Sequence, residues 1–298
     1  MTVAIVVNLK SGTAMSLDHS EMEAHLRRGF GDEAQLHLIQ PDDLVKCLKN
    51  CAEDDAIDTI IVAGGDGSVS LAGKFALENE KRLGVLPLGT MNLFARAMRI
   101  PLDFEDAVTA LADGLENRVD VGMMNGEPFF NHVSIGLHPR VIQLRGRMSQ
   151  SGRLSKIFNT IRAYARVMSV RKTKPLHITG PFAPFEVNAG LAVVSINPVP
   201  EEAIHLPFRE GQSYGKLACY VSTHKSAWQL NVLLARLAAG NWQDSDHMEY
   251  REATHVEIDA DTAVHASIDG EVVIRQPPLN FEIRKQALRV LQPRLDPQ

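Results

Sequence analysis

Gly64-Gly65-Asp66-Gly67-Ser68 sets one carboxylate and one hydroxyl among glycines, directly after the apolar run Ile60-Ile61-Val62-Ala63. Val85-Leu86-Pro87-Leu88-Gly89-Thr90-Met91-Asn92 repeats the arrangement, and Asn8-Leu9-Lys10-Ser11-Gly12 closes a third apolar run, Val3 to Val7. Glycine brings no Cβ, so backbone can come close to a ligand there. The unpaired N–H groups of a helix's first turn, with the positive end of its dipole, attract phosphate. The small hydroxyls of Ser11, Ser68 and Thr90 can approach phosphate oxygens. For Ser11 and Thr90 helix capping is the other reading, and both roles can coexist; Asn92 can cap as well. Asp66 is the odd residue, because an acid among such amides repels an anion unless it holds a cation or takes a proton. Late in the chain, Asp269 and Glu271 stand two apart in Ile268-Asp269-Gly270-Glu271. In an extended segment they point to one side and can divide a proton-transfer task; the other reading is a plain Asp-Gly surface turn.

These residues need elements to place them. Residues 2 to about 120 alternate strand and helix: strands at Val3–Val7, Gln35–Ile39, Thr59–Ala63 and Leu83–Leu86, and helices at Leu17–Arg28, Pro41–Cys51, Val69–Leu77 and Leu93–Met98. Continuous apolar strands with short connections predict a parallel sheet covered on both faces, with ligands outside the carboxyl ends of the strands. Past Val121 the pattern turns to strand and turn. Asn125-Gly126 predicts a hairpin joining Arg118–Met123 to Phe129–Ile135. Further strands are expected at Leu176–Thr179, Leu191–Ile196, Leu217–Val221, Thr254–Asp259, Ala263–Ile268 and Asn280–Arg284, with helices at Ile157–Met168 and Trp228–Ala239. The expected division is an α/β domain over 1–122, an antiparallel β domain over 123–285 and a C-terminal segment, 286–298, returning to the first.

With 298 residues, 45% of them apolar, the chain can bury a large core. No apolar run is long enough to span a bilayer, and the short apolar start lacks a basic flank, so the chain reads as cytoplasmic. Cys47 and Cys51, four apart in an expected helix, read as buried thiols, and Cys219 stands alone; no His or Cys cluster in the sequence predicts zinc. Net charge is −5, but Arg140, Arg145, Arg147, Arg153, Lys156, Arg162, Arg166, Arg171, Lys172 and Lys174 fall in one stretch with no Asp or Glu. That segment fits either an anionic membrane surface or a solvated helix face. No nucleic-acid-binding motif accompanies it.

Taken in order, the three turns, the extension Pro87-Leu88-Gly89-Thr90-x-Asn92-x-Phe94-Ala95-Arg96 and the late Asp269-Gly270-Glu271 resemble the diacylglycerol kinase catalytic family, especially its soluble bacterial lipid kinases. The likeness spans nearly the whole chain. The resemblance implies an ATP- and Mg²⁺-dependent lipid kinase, with ATP in a cleft between an NAD-kinase- or phosphofructokinase-like α/β domain and a lipid-binding β-sandwich. It places the nucleotide on Asn8, Ser11, Gly12, Gly64, Gly65, Gly67, Ser68, Val69, Ser70, Gly89, Thr90 and Asn92. Gln40 stands where the family often has a nucleotide-contacting threonine. Glu271, aided by Asp269, is implied to take the proton of a lipid hydroxyl attacking the γ-phosphate, and Asp66 to hold catalytic Mg²⁺ or orient phosphates. The chain would then be peripheral at the membrane during turnover, and a homodimer is compatible with it.

Two departures qualify the resemblance. Leu93 stands where the family commonly has aspartate. Ser213-Tyr214-Gly215-Lys216-Leu217 stands where it commonly has Asp-Asp-Gly-x-Leu, so the structural Mg²⁺ site at Ser213 and Tyr214 is expected to be absent or altered. Rival readings are an NAD kinase-like enzyme, which shares the Gly64–Gly67 turn but not the Pro87–Arg96 stretch, and a catalytically weak nucleotide- or lipid-binding regulator.

Overall fold

The computed structural model describes residues 2–12, 14–136, 174–196, 215–222 and 248–294. The helices expected at Ile157–Met168 and Trp228–Ala239, the basic segment Arg140 to Lys174 apart from its last residue, and Ser213 and Tyr214 lie outside them. The first elements are β1 (Thr2–Asn8), α1 (His19–Phe30), β2 (Gln35–Ile39), α2 (Leu44–Glu53), β3 (Ile57–Gly64), α3 (Asp66–Glu78), β4 (Arg82–Pro87), α4 (Leu93–Ala97), α5 (Phe104–Ala112) and β5 (Leu115–Met124). Strands alone follow: β6 (Glu127–Phe129), β7 (His132–Gly136), β8 (Lys174–Gly180), β9 (Phe182–Ala189), β10 (Leu191–Ser195), β11 (Leu217–Ser222), β12 (Met248–Ala253), β13 (His255–Asp259), β14 (Val264–Ile268), β15 (Glu271–Arg275) and β16 (Leu279–Gln292). The described residues form two compact units: one takes those up to Val121 and from Arg284 onward, the other those from Gly122 to Ile283.

The first unit is built on a parallel sheet in the order β2-β1-β3-β4, extended by the C-terminal part of β16, where Val290 pairs with Leu83. Ala4 to Val7 and Ile60 to Ala63 are buried without interruption, as strands covered on both faces must be. Helix α1 packs on α5, and α2 on α3. Asp18 starts α1 by accepting the Ser20 and Glu21 amides at 2.8 and 3.1 Å, so the helix begins later than the apolar pattern alone predicts. Pro41–Asp43 is a 3₁₀ turn ahead of α2 rather than part of it. Four charges bind the returning strand: Arg289 donates to Glu116 at 3.0 Å and to Asp58 at 3.5 Å, and Arg82 pairs with Asp58.

The described strands of the second unit pair antiparallel. One sheet runs β12-β11-β10-β7-β14-β15; the other joins the N-terminal part of β16 to β13, β8 and β9. One core takes Val133, Ile135 and Val194 from the first sheet and Ile178, Val256 and Phe281 from the second. Phe129 and Phe281 meet edge to face, ring centres 6.3 Å apart. The expected strand Phe129–Ile135 is broken at Phe130 and Asn131, for a reason given below. Helix α5 and strands β9, β12 and β15 come in addition to the elements expected from sequence.

Candidate active site

In the first unit all three glycine-bearing turns leave the carboxyl edge of the parallel sheet and are tied to one another. The Leu88 amide donates to Gly64 O at 2.9 Å. Asn8, at the end of β1, donates through Nδ2 to Ser68 Oγ at 3.1 Å while its Oδ1 accepts the Lys10 amide. Ser11 is buried beside them, its amide on Asn8 O. A Cβ on Gly64 would strike Ser68 Cβ at 2.6 Å, so glycine is needed there for close packing of turn on helix; one on Gly12 would meet Leu88 O at 3.5 Å. Gly89 faces Gly65 as closely, a Cβ there falling 2.6 Å from Gly65 Cα, whereas a Cβ on Gly67 would meet nothing within 4 Å. Helix α3 starts at this point from Gly65, with no side chain capping it.

Asp66 is used structurally. Its carboxylate accepts the Asn92 amide at 3.0 Å and the Leu93 amide at 2.6 Å, fastening the turn after β4 to the start of α3. Asn92 adopts a left-handed conformation, φ 51°, and closes on Gly89, accepting its amide at 2.8 Å and donating to its carbonyl at 3.0 Å. It therefore pinches a turn instead of capping α4, which has no side-chain cap. Thr90 is exposed and lies two residues ahead of α4's N-cap, so it does not cap that helix. Gln40 is exposed at the N-cap of the 3₁₀ turn after β2 and makes no side-chain cap hydrogen bond there. Val69 is buried, and its amide donates to Gly65 O at 3.1 Å. Ser70 is half-buried one residue further along α3.

The second unit holds Asp269 and Glu271, and corrects the geometry expected for them. Their segment is not extended. Asp269 (φ 46°) and Gly270 (φ 97°) are the two central residues of a hairpin turn joining β14 to β15, with Ile268 paired to Glu271. The Asp269 carboxylate folds back and accepts three consecutive amides, Phe130 at 2.7 Å, Asn131 at 2.8 Å and His132 at 3.0 Å. Gripping those amides interrupts the strand at Phe130 and Asn131. Nothing in the spacing of Phe130, Asn131 and His132 signals this, because the amides are assembled by the fold. Glu271 is exposed at the first position of β15. Arg275, on the same strand, donates to both oxygens of Glu127 at 2.8 and 2.6 Å, a fork that holds the hairpin at its other end. An open cavity of about 570 Å³ in this unit is lined by polar and apolar residues alike, among them Thr179, His255, Val256, Asn280, Phe281 and Glu282.

Residues 2–124, the segment carrying all three turns, match the model of the diacylglycerol kinase catalytic domain. The chain carries a diacylglycerol kinase catalytic domain. That makes the protein a kinase of the lipid kinase class. A diacylglycerol kinase of Bacillus subtilis (strain 168) is 43% identical to the kinase over 131 residues, 43% of each chain. Another, from Staphylococcus saprophyticus, is 24% identical over 79% of this chain and 77% of its own. Two solved Bacillus anthracis structures share the fold of the whole kinase: one described as a diacylglycerol kinase has a TM-score of 0.69 at 20% identity over 98% of this chain and 96% of that one. The other has a TM-score of 0.73 at 22% identity with the same coverage. No helix among the described residues is long and apolar enough to cross a membrane.

Proposed function

We propose that the kinase uses ATP and transfers its γ-phosphate to a hydroxyl of diacylglycerol or a related lipid. The observation that carries this reading is the knot of three turns around the uncapped start of α3, where Gly65 and Gly89 leave bare backbone and Gly67 faces open space. First-turn amides with no side-chain cap are the groups that take phosphate oxygens, and the Thr90 hydroxyl is exposed beside them. Asn8, Ser11 and Ser68 fix the turn positions. Gly12, Gly64, Gly89 and Asn92 allow the close approach, and Gln40 borders the same sheet edge after β2.

Magnesium, when bound with ATP, neutralises charge on the phosphates. Both Asp66 oxygens already accept amides, so the residue fits the task of holding two turns together better than that of a metal ligand. Glu271, exposed and at the head of its strand, is the proposed acceptor of the lipid hydroxyl's proton. Asp269 is a positioning residue that holds Glu271's hairpin. The basic segment Arg140 to Lys174 supports docking on anionic lipid, with the protein cytoplasmic and peripheral at the membrane during turnover.

Labelled ATP offered with vesicles containing diacylglycerol, monoacylglycerol, ceramide or sphingosine, and separately with NAD, tests the reading. A phosphorylated lipid is the expected product. Phosphorylated NAD without a lipid product would transfer the assignment to an NAD kinase-like enzyme, and ATP binding with no product on any acceptor to a regulator. Binding to anionic vesicles that weakens with salt supports the docking segment; equal binding to neutral vesicles counts against it.

A further inference from the structure

Away from the glycine turns, the first unit brings three soft ligand atoms together. His37 sits in β2, the edge strand of the parallel sheet, and Cys47 and Cys51 sit one turn apart on α2, on the same helix face. A ring nitrogen of His37 and the two Sγ atoms all lie within 4.8 Å of one another. The Nε2 atom of His37 is buried with no hydrogen-bond partner. A buried polar nitrogen without a partner is unfavourable, and here it stands beside two thiols. Sequence spacing could not reveal the group, because the histidine comes from a different element.

We propose that His37, Cys47 and Cys51 form a binding site for one thiophilic metal ion of the Zn²⁺ class. Two thiolates and an imidazole are a ligand set that zinc accepts with its fourth position left to water. Magnesium and calcium are excluded by the lack of oxygen ligands. Zinc–ligand bonds place neighbouring ligand atoms roughly 3.3–3.8 Å apart, so side-chain rotation of about 1 Å completes the triangle. Cys51 is buried and Cys47 half-buried, which leaves the ion a route in past Cys47. Binding releases the two thiol protons to solvent and gives His37 Nε2 the partner it lacks. The ion would clamp α2 to the edge strand across the corner that contains Gln40.

The test uses the full chain, reduced and stripped with a chelator, then loaded with Zn²⁺ or Co²⁺ and freed of unbound metal. One ion per chain and a thiolate-to-cobalt charge-transfer band are expected. His37→Gln should weaken retention at least about tenfold, as loss of a ligand does. Cys47→Ser combined with Cys51→Ser should abolish the band, and Cys219→Ser should leave it intact. A readout free of any folding defect is protection of Cys47 in the unmutated protein: Zn²⁺ should slow its alkylation at least about tenfold. Retention no better than in the double cysteine variant, an alkylation rate indifferent to Zn²⁺, or a Cys47–Cys51 disulfide formed by a protein that takes up no metal when reduced would each overturn the proposal.

Discussion

Gly65 and Gly89 meet backbone against backbone: a Cβ on Gly89 would lie 2.6 Å from the Cα of Gly65 and 2.7 Å from Asn92 Oδ1. The turns after β3 and β4 are thus one object. Their mutual position depends on two missing side chains.

Gly89→Ala should therefore disturb both turns at once. The atoms it meets include backbone, which cannot rotate away, so a loss of about 1–3 kcal/mol in urea unfolding is expected, with ATP-dependent turnover falling as well. Gly67→Ala is the matched control, since its Cβ meets nothing within 4 Å. Its stability should stay within about 1 kcal/mol of the unmutated chain, while KM for ATP rises because the methyl group occupies the proposed phosphate space.

Asp66→Asn leaves one acceptor oxygen for two amides. Hydrogen bonds to a charged group contribute about 1.5–3 kcal/mol, so the thermal midpoint should drop and KM for ATP should rise. The Mg²⁺ concentration giving half-maximal rate should stay where it was. A shift in that concentration would restore Asp66 as a metal ligand.

Glu271 and Asp269 should separate cleanly. Glu271→Gln removes an exposed proton acceptor and is expected to lower kcat by about 10²-fold or more without moving the thermal midpoint. Asp269→Asn weakens the hold on the Phe130, Asn131 and His132 amides, so stability should fall together with kcat. Identical thermal midpoints for the two variants would contradict this division of roles.

What could be read from the chain, and what could not, follows the range of the forces involved. Strands β1, β3 and β4 are buried on both faces and show as unbroken apolar runs, and the glycines after them mark where the chain must turn tightly. Helix α5 was not among the expected elements, although Asp103 ahead of Phe104, with Ala107, Val108 and Leu111 on the buried face, carries the signal of one. Strands β9 and β12 were not legible. Both lie at sheet edges and carry polar residues such as Glu186 and Arg251, so pairing rather than composition makes them strands. The Asp269-Gly270 turn showed in its dipeptide. The use of Asp269 did not, because the three amides it holds come from the far side of the second unit's sequence.

Acid should loosen the first unit at its returning strand. A hydrogen bond from Arg289 holds the Glu116 carboxyl below its usual range; burial pushes Asp58 up, but Arg82 outweighs it and that carboxyl too is lowered. Groups depressed on folding stabilise above their ordinary titration range and lose that contribution as pH falls through the folded value. Thermal midpoints should hold near neutrality and drop below about pH 4. Glu116→Gln should make that drop shallower in a pH series of melting curves.

Strand β16 has a bearing on how the protein is made. Leu83 finds its sheet partner in Val290, and Leu288, Val290 and Leu291 are buried. A ribosome therefore finishes the second unit's strands before it delivers the one that covers β4, and until then β4 presents an open, apolar edge to other chains. A fragment ending at residue 124 would keep every glycine turn and still lack that cover. Expressed alone, the catalytic domain is a candidate for aggregation, not a minimal enzyme.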